Sequence, residues 1–216
     1  MPEISRRGAL GAGAGIAAAT ALGAAGTARA DTAAPVETAA SNTGKPKYVF
    51  PLAKSAPAVH DGGTLRGAHE KNFSVLAGQQ GSVYLVHLDP GGLREPHWHP
   101  SAWELNYIIS GKADWSILGT HEDGSYHNEV FTAGAGELVF APQGFFHYFA
   151  NSSTTEGLDV LVMFNTSTGE PNDDIGIVGT LNSLPREILA ASFGVPVSAF
   201  AAVPKDLKPV VITRRR

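Results

Sequence analysis

The sequence predicts an all-β fold, a single sandwich or barrel followed by short helices. Three observations carry that prediction. From Lys47 onward, short apolar runs alternate with turn signals at a spacing of roughly 8–12 residues, the pattern of a sandwich or barrel. The 216-residue chain holds 25 glycines and 14 prolines, a turn-rich composition that disfavours long helices. Within this stretch, no run as far as Phe164 has the 3.6-residue apolar period of an amphipathic helix. With 43% hydrophobic and 17% charged residues, the chain has the apolar mass for a real core.

Residues 1–30 are expected to be an export signal and not part of the fold. "SRRGAL" places Arg6 and Arg7 before an Ala/Gly-rich run, and "ARA" at Ala28–Ala30 is a small-x-small cleavage pattern. The run is glycine-rich and closes with Arg29, short of the roughly 20 strongly apolar residues of a membrane anchor. No stable membrane anchor is therefore expected. The pattern resembles a twin-arginine signal, with a general secretory signal as the alternative. Either route places the mature chain outside the cytoplasm, in the periplasm or the medium. Twin-arginine export implies folded cargo, so a metal could load before export. The next segment, 31–46, is small, polar and proline-punctuated, and reads as a disordered linker.

Residues 47–166 then form the predicted barrel. Its strand-like runs are 82–88, 104–110, 113–118, 128–134, 137–142, 147–152 and 158–164. No internal repeat is present, so one barrel is expected. Residues 167–216 are read as a lid loop and a helical extension. "NTSTGEPNDDIG" (165–176) is polar, has no apolar period and is long enough to suggest function. "LPREILAASFG" (184–194) reads as a helix stopped by Gly194, and 197–203 as a second short helix. The run Arg214–Arg216 reads as a short basic tail.

Composition excludes several function classes. The chain has no cysteine, hence no disulfide, no thiolate metal site and no lipid-modified cysteine anchor. A formal charge of −4 leaves no electrostatic footprint for nucleic acid.

The chemistry lies in "PHWHPSAWELNYIISG", residues 96–111. His97 and His99 are two apart, so on a strand both point to one face. Glu104 follows a bend at Pro100-Ser101. A third imidazole, His147, comes after the turn Pro142-x-Gly144. Three histidines and one carboxylate, without sulfur, suit manganese, iron, zinc or copper. His60, His69, His87, His121 and His127 are expected to be ordinary half-buried histidines.

Two spaced patterns frame these four residues. The first runs Gly91, His97-x-His99, Glu104, Gly111; the second runs Gly136, Pro142-x-Gly144, His147, Asn151. Together they resemble both motifs of the cupin superfamily at every named position, which implies a jelly-roll barrel with His97, His99, Glu104 and His147 as metal ligands. "PGGLREPHWHPSAWELNYIISGKA" is further similar to the second cupin domain of bacterial oxalate decarboxylases. The similarity covers most of Lys47 to Val195. Those enzymes carry two barrels, and this chain departs from them in having one.

The resemblance implies Mn(II) as the foremost cofactor, with Fe, Zn and Cu as alternatives. It implies a small carboxylic-acid substrate with dioxygen as co-reactant, and assembly into a homo-oligomer through the C-terminal helices. Arg94 matches the arginine that grips the substrate carboxylate. The family's lid glutamate falls at Pro171, with Glu170 just before it and Asp173 two after, so Glu170 is the candidate proton donor. Three functions follow as expectations. One is oxalate degradation, by decarboxylation to formate or by oxidation to CO2 and H2O2. Another is a germin-like superoxide dismutase or a different cupin dioxygenase, and the third a non-enzymatic module that binds metal or a small acid.

Overall fold

Twelve strands and two short helices make up the fold in the computed structural model, which describes residue 44, residues 46–205 and residues 210–216. The expected export signal, 1–30, and nearly all of the expected linker lie outside the described residues. In chain order the strands are β1 (Ala58–His60), β2 (Gly63–Ala68), β3 (Ser82–Leu88), β4 (Gly92–Trp98), β5 (Glu104–Ser110) and β6 (Lys112–Thr120). Then come β7 (Tyr126–Gly134), β8 (Leu138–Ala141), β9 (Phe146–Asn151), β10 (Leu158–Phe164), β11 (Ile175–Gly176) and β12 (Ile212–Arg214). The helices are α1 (Ile177–Asn182) and α2 (Arg186–Phe193).

Two antiparallel sheets result, ordered β1-β2-β3-β10-β5-β8 and β11-β4-β9-β6-β7, with β12 also on β4. β3, "SVYLVHL", shows why its sequence makes a strand. Its residues alternate buried and half-buried along the whole length, so every second side chain enters the core. The inner faces meet around Trp115, Tyr84, Phe149, Leu88 and Ile108, all essentially inaccessible to solvent. Trp115 stacks on Phe149 with ring centroids 4.7 Å apart. This is the all-β, jelly-roll arrangement expected from the sequence.

The tail of the chain is more ordered than its sequence suggests. The helix expected over 184–194 is α2, entered through Pro185 and stopped by Gly194 at φ 66°, a conformation that favours glycine. The helix expected over 197–203 is only a 3-10 turn, Val197–Phe200. The basic run is not a free tail. Arg214 lies in β12 and pairs with Asp89 at 2.6 Å, and Arg215 pairs with Asp114 at 2.9 Å. Among the described residues, no helix is long and apolar enough to cross a membrane.

Candidate metal centre

Strand β4 carries most of the site, and an irregularity in it decides which side chains point inward. Arg94 pairs with Phe149 and His97 with His147, so β4 has one more residue than β9 between these two pairs. That extra residue is a β-bulge, which shifts the alternation by one. Arg94 and His97 would otherwise face opposite sides of the sheet; with the bulge both are buried. Pro96 lies within the bulge, where a residue without an N–H breaks no ladder bond. His147 enters from β9 after a tight turn in which Phe145 N donates to Pro142 O at 3.0 Å. Gly144 supplies the positive φ, 78°, that this turn requires. Glu104 opens β5 on the opposite sheet.

These elements bring His97, His99, Glu104 and His147 together, with one ligand atom of each within 4.8 Å of the others. Each is at most 2% exposed. His99 Nε2 and His147 Nε2 both lie 3.1 Å from Glu104 Oε2, and His97 Nε2 lies 3.8 Å from it. The opposite ring nitrogens are fixed by the backbone. His97 Nδ1 reaches Glu95 O at 2.7 Å, His99 Nδ1 reaches Asp173 O at 3.0 Å, and His147 Nδ1 reaches Phe145 O at 2.9 Å. A carbonyl only accepts, so each Nδ1 donates and each neutral ring keeps its lone pair on Nε2.

Three lone pairs therefore converge on a carboxylate oxygen, an arrangement that needs positive charge at its centre. Glu104 Oε1 is buried and has no hydrogen-bond partner, leaving a second lone-pair-bearing atom for the same purpose. Electrostatics agree for Glu104 and His97, while at His99 the hydrogen bond and charge of Glu104 outweigh burial and raise the group above its ordinary value. Burial alone would raise the Glu104 carboxyl, but the His147, His97 and His99 contacts outweigh it and hold the group well below the usual carboxylate range. Burial also draws His97 well below its ordinary value, with Arg94 and His147 adding to the effect. A neutral imidazole and an ionised carboxylate are the protonation states that bind a divalent ion. The donor set fits such a cation.

Beside this cluster sits a second, made of charges. Arg94 Nη2 lies 3.1 Å from Glu170 Oε1 and 2.9 Å from Asp174 Oδ2, and Arg94 Nη1 lies 4.0 Å from Glu95 Oε1. All four side chains are buried. Burial opposes the charged guanidinium, but Asp174, Glu170 and Glu95 outweigh that and keep it protonated. The carboxylates respond the other way. Burial raises Glu170 and Asp174 above their ordinary values despite Arg94, and lifts Glu95 to about 7.

Glu170 and Asp174 come from the loop 165–176, which is folded onto the barrel. Glu170 N donates to Tyr84 Oη at 2.5 Å, and Ser101 donates to Asp173 Oδ1 through N at 3.1 Å and Oγ at 2.6 Å. β11 pairs with β4 through Ile175 and Trp98. Gly176 has no side chain where a Cβ would lie 2.2 Å from Glu95 Oε1. Between the two clusters is a cavity of about 10 Å3, lined by Arg94, His97, Glu104 and Glu170 with Val86, Phe149 and Val162. That is room for about one water.

Of the six sequence-selected residues, Arg94, His97, Glu104 and Glu170 line one cavity, and His99 and His147 join it through Glu104. Arg94 is buried and not a surface residue, and Glu170 is 6% exposed and not a solvated loop carboxylate. Sequence reasoning missed Asp174, which grips Arg94 at the shortest of these distances. The only signal was its place in an acidic pair, Asp173-Asp174, inside a loop already singled out.

Comparison with known proteins agrees with this geometry. Residues 51–199 match the Cupin family. A probable oxalate decarboxylase of Arthroderma benhamiae is 31% identical over 172 residues, 78% of this chain and 40% of that protein. Germin-like protein subfamily 2 member 4 of Arabidopsis thaliana is 24% identical, covering 68% of this chain and 66% of its own. Solved structures of oxalate decarboxylase from Bacillus subtilis, a protein with Mn(II) centres, superpose with a TM-score of 0.66 at 25% identity. They cover 77% of this chain, which spans 41% of theirs.

Proposed function

The chain belongs to the cupin family, and from that premise we propose that it is an exported, manganese-dependent enzyme that breaks the C–C bond of oxalate or a similar small diacid. One observation carries the reading. Arg94 Nη1 is buried without a hydrogen-bond partner on the wall of the cavity that Glu104, His97 and Glu170 also line. A guanidinium offers a planar fork of donors to a carboxylate, which a lysine does not reproduce. Held by His97, His99, Glu104 and His147, manganese would supply one-electron chemistry with dioxygen and an anchor for one end of the diacid.

The chain's own residues do the rest. Arg94 binds the other carboxylate in exchange for Glu170, its lid partner. Val86, Phe149 and Val162 keep water from the reacting carbon. Loss of CO2 leaves that carbon in need of a proton, and oxalate plus one proton gives formate and CO2. Glu170 is the donor in this reading, because burial raises its carboxyl and so favours the protonated form. If no acid delivers the proton, oxalic acid and O2 give two CO2 and H2O2. Decarboxylation is preferred here because Glu170 faces the cavity. A cavity of about 10 Å3 does not admit a diacid, so the lid must open for each substrate.

A second reading, a non-catalytic module for metal or small acids, is supported by one feature. Two lid carboxylates already pair with Arg94. A germin-like superoxide dismutase or another dioxygenase gains less support, since superoxide needs no carboxylate clamp. Export through the twin-arginine route rests on Arg6-Arg7 and Ala28–Ala30, and would carry the folded, loaded chain. Assembly into a homo-oligomer rests on Leu184, Ile188 and Phe193, which stand exposed at the C-terminal helix. The deciding experiment incubates the manganese-loaded protein with oxalate across acidic pH and measures formate and peroxide separately. Formate identifies a decarboxylase and peroxide an oxidase. Oxalate left intact at every pH would remove the enzymatic reading and leave the binding module.

A further inference from the structure

At one edge of the barrel, the turn between β6 and β7 and the start of β7 gather a second set of ligand-bearing side chains. His121, His127 and Glu129 each bring one ligand atom within 4.8 Å of the others. The turn closes on itself: His121 N donates to Ser125 O at 2.9 Å, and Gly124 N to His121 O at 2.9 Å. This sets the two imidazoles face to face, centroids 3.8 Å apart and planes 11° from parallel. Glu129 lies two residues beyond His127 on β7, so the two share a face of the strand.

Hydrogen bonding fixes which nitrogen of His127 is free. Ser125 Oγ donates its one proton to Asp123 Oδ1 at 2.5 Å, and Ser125 N donates to the same oxygen at 2.9 Å. Ser125 Oγ also lies 2.9 Å from His127 Nδ1, and with its proton committed it can only accept. His127 Nδ1 is therefore the donor, and in the neutral ring Nε2 keeps its lone pair. That lone pair lies 3.7 Å from Glu129 Oε1, so two acceptors face each other. His121 Nε2 is shut off from solvent with no hydrogen-bond partner. One imidazole lone pair thus faces a carboxylate on this edge, with a second imidazole stacked beside it. His121 and Glu129 also line a groove of about 520 Å3, through which a hydrated ion can arrive.

We propose that His121, His127 and Glu129 form a second cation site, separate from the barrel centre and selective for zinc-like first-row ions. Two imidazoles with one carboxylate favour zinc, nickel or copper(II) over manganese, calcium or magnesium. Zinc–nitrogen bonds of about 2.0–2.1 Å require the donors to draw together. His127 and Glu129 are exposed and can close that distance by side-chain rotation. Three protein ligands leave a position for water from the groove, and Asp123–Ser125 fixes the tautomer of His127 from behind, as outer partners do at metal sites.

Equilibrium dialysis of the full chain against zinc chloride tests this by counting ions. The wild type should hold two zinc ions per chain, and His121→Ala combined with His127→Ala should hold one. Because His121 lies in the turn and His127 near the start of the edge strand β7, thermal melts of this variant should match the wild type. His97→Ala combined with His99→Ala should keep the second ion, which separates this site from the barrel site whatever the barrel binds. Ser125→Ala should weaken the second ion about tenfold, as loss of an outer-shell partner does. Equal zinc content in the wild type and the His121→Ala, His127→Ala protein would overturn the proposal, as would unchanged affinity in Ser125→Ala.

Discussion

The barrel side and the lid side of the site are two walls built differently. The barrel wall presents three imidazoles and Glu104 from β4, β5, β9 and the residue just after β4, where every ring is aimed by a hydrogen bond to a backbone carbonyl. The lid wall presents Glu170 and Asp174 from a loop held by side-chain pairs to Arg94, a Tyr84 hydroxyl and a two-residue strand. Backbone-fixed donors have nowhere else to point, whereas ion pairs can be exchanged for another carboxylate. Affinity for the cation is thus set chiefly by the barrel, with the lid contributing only the Asp173 carbonyl that aims His99, and the fate of a substrate is set by the lid. That division separates what each substitution should change.

The largest effect is expected on the barrel side. His99→Ala removes one of four convergent donors and should leave the manganese-loaded preparation with almost no manganese, measured by elemental analysis. His87→Gln, outside the cluster, should leave manganese content unchanged. Equal manganese in His99→Ala and the wild type would break the division at its root. On the lid side, Glu170→Gln removes a candidate general acid while keeping the size of the side chain. A general acid contributes about 10²–10⁴-fold, so formate should fall by that order while oxalate loss slows less and peroxide rises. Manganese content should not move. A wild type that makes peroxide and no formate would show that Glu170 delivers no proton.

Arg94 links the two walls and should show an intermediate effect. Arg94→Lys keeps the charge and loses the fork, removing one charge-assisted hydrogen bond worth about 1.5–3 kcal/mol. Turnover of oxalate should fall roughly 10- to 100-fold, with manganese content intact. Loss of manganese in this variant would place Arg94 on the barrel side of the comparison.

The same division explains what could be read from the sequence. The barrel wall was legible because strand geometry is local: His97-x-His99 implies one face, and the Pro142-x-Gly144 turn announces His147. The alternation in β3 likewise needs no tertiary information. The bulge at Pro96 was less visible. It turns Arg94 inward through a register with β9, a partner some fifty residues away. The lid was hardest, because Glu170 and Asp174 are polar residues in a polar loop, and only their long-range pairing with Arg94 buries them. β12 was hidden for a related reason. Arg214 and Arg215 look like a tail until Asp89 and Asp114, more than a hundred residues earlier, are seen to receive them.

The smallest expected effect probes how firmly the lid is shut. Asp173 carries no charge to the cavity; its carboxylate accepts from Ser101 N and Oγ at the exposed rim, and its backbone oxygen accepts from His99 Nδ1. Asp173→Ala deletes the rim contacts and keeps the carbonyl, so the barrel donors stay aimed. Hydrogen bonds of this kind contribute about 0.5–1.5 kcal/mol each in water. Opening of the lid should therefore become roughly 2- to 12-fold more frequent per bond lost. Hydrogen exchange should show faster exchange for 170–176 and no change in β3, β5 or β10. If exchange in β4 and β9 accelerates equally, the lid and the barrel open as one unit, and the separation between cation affinity and substrate fate fails.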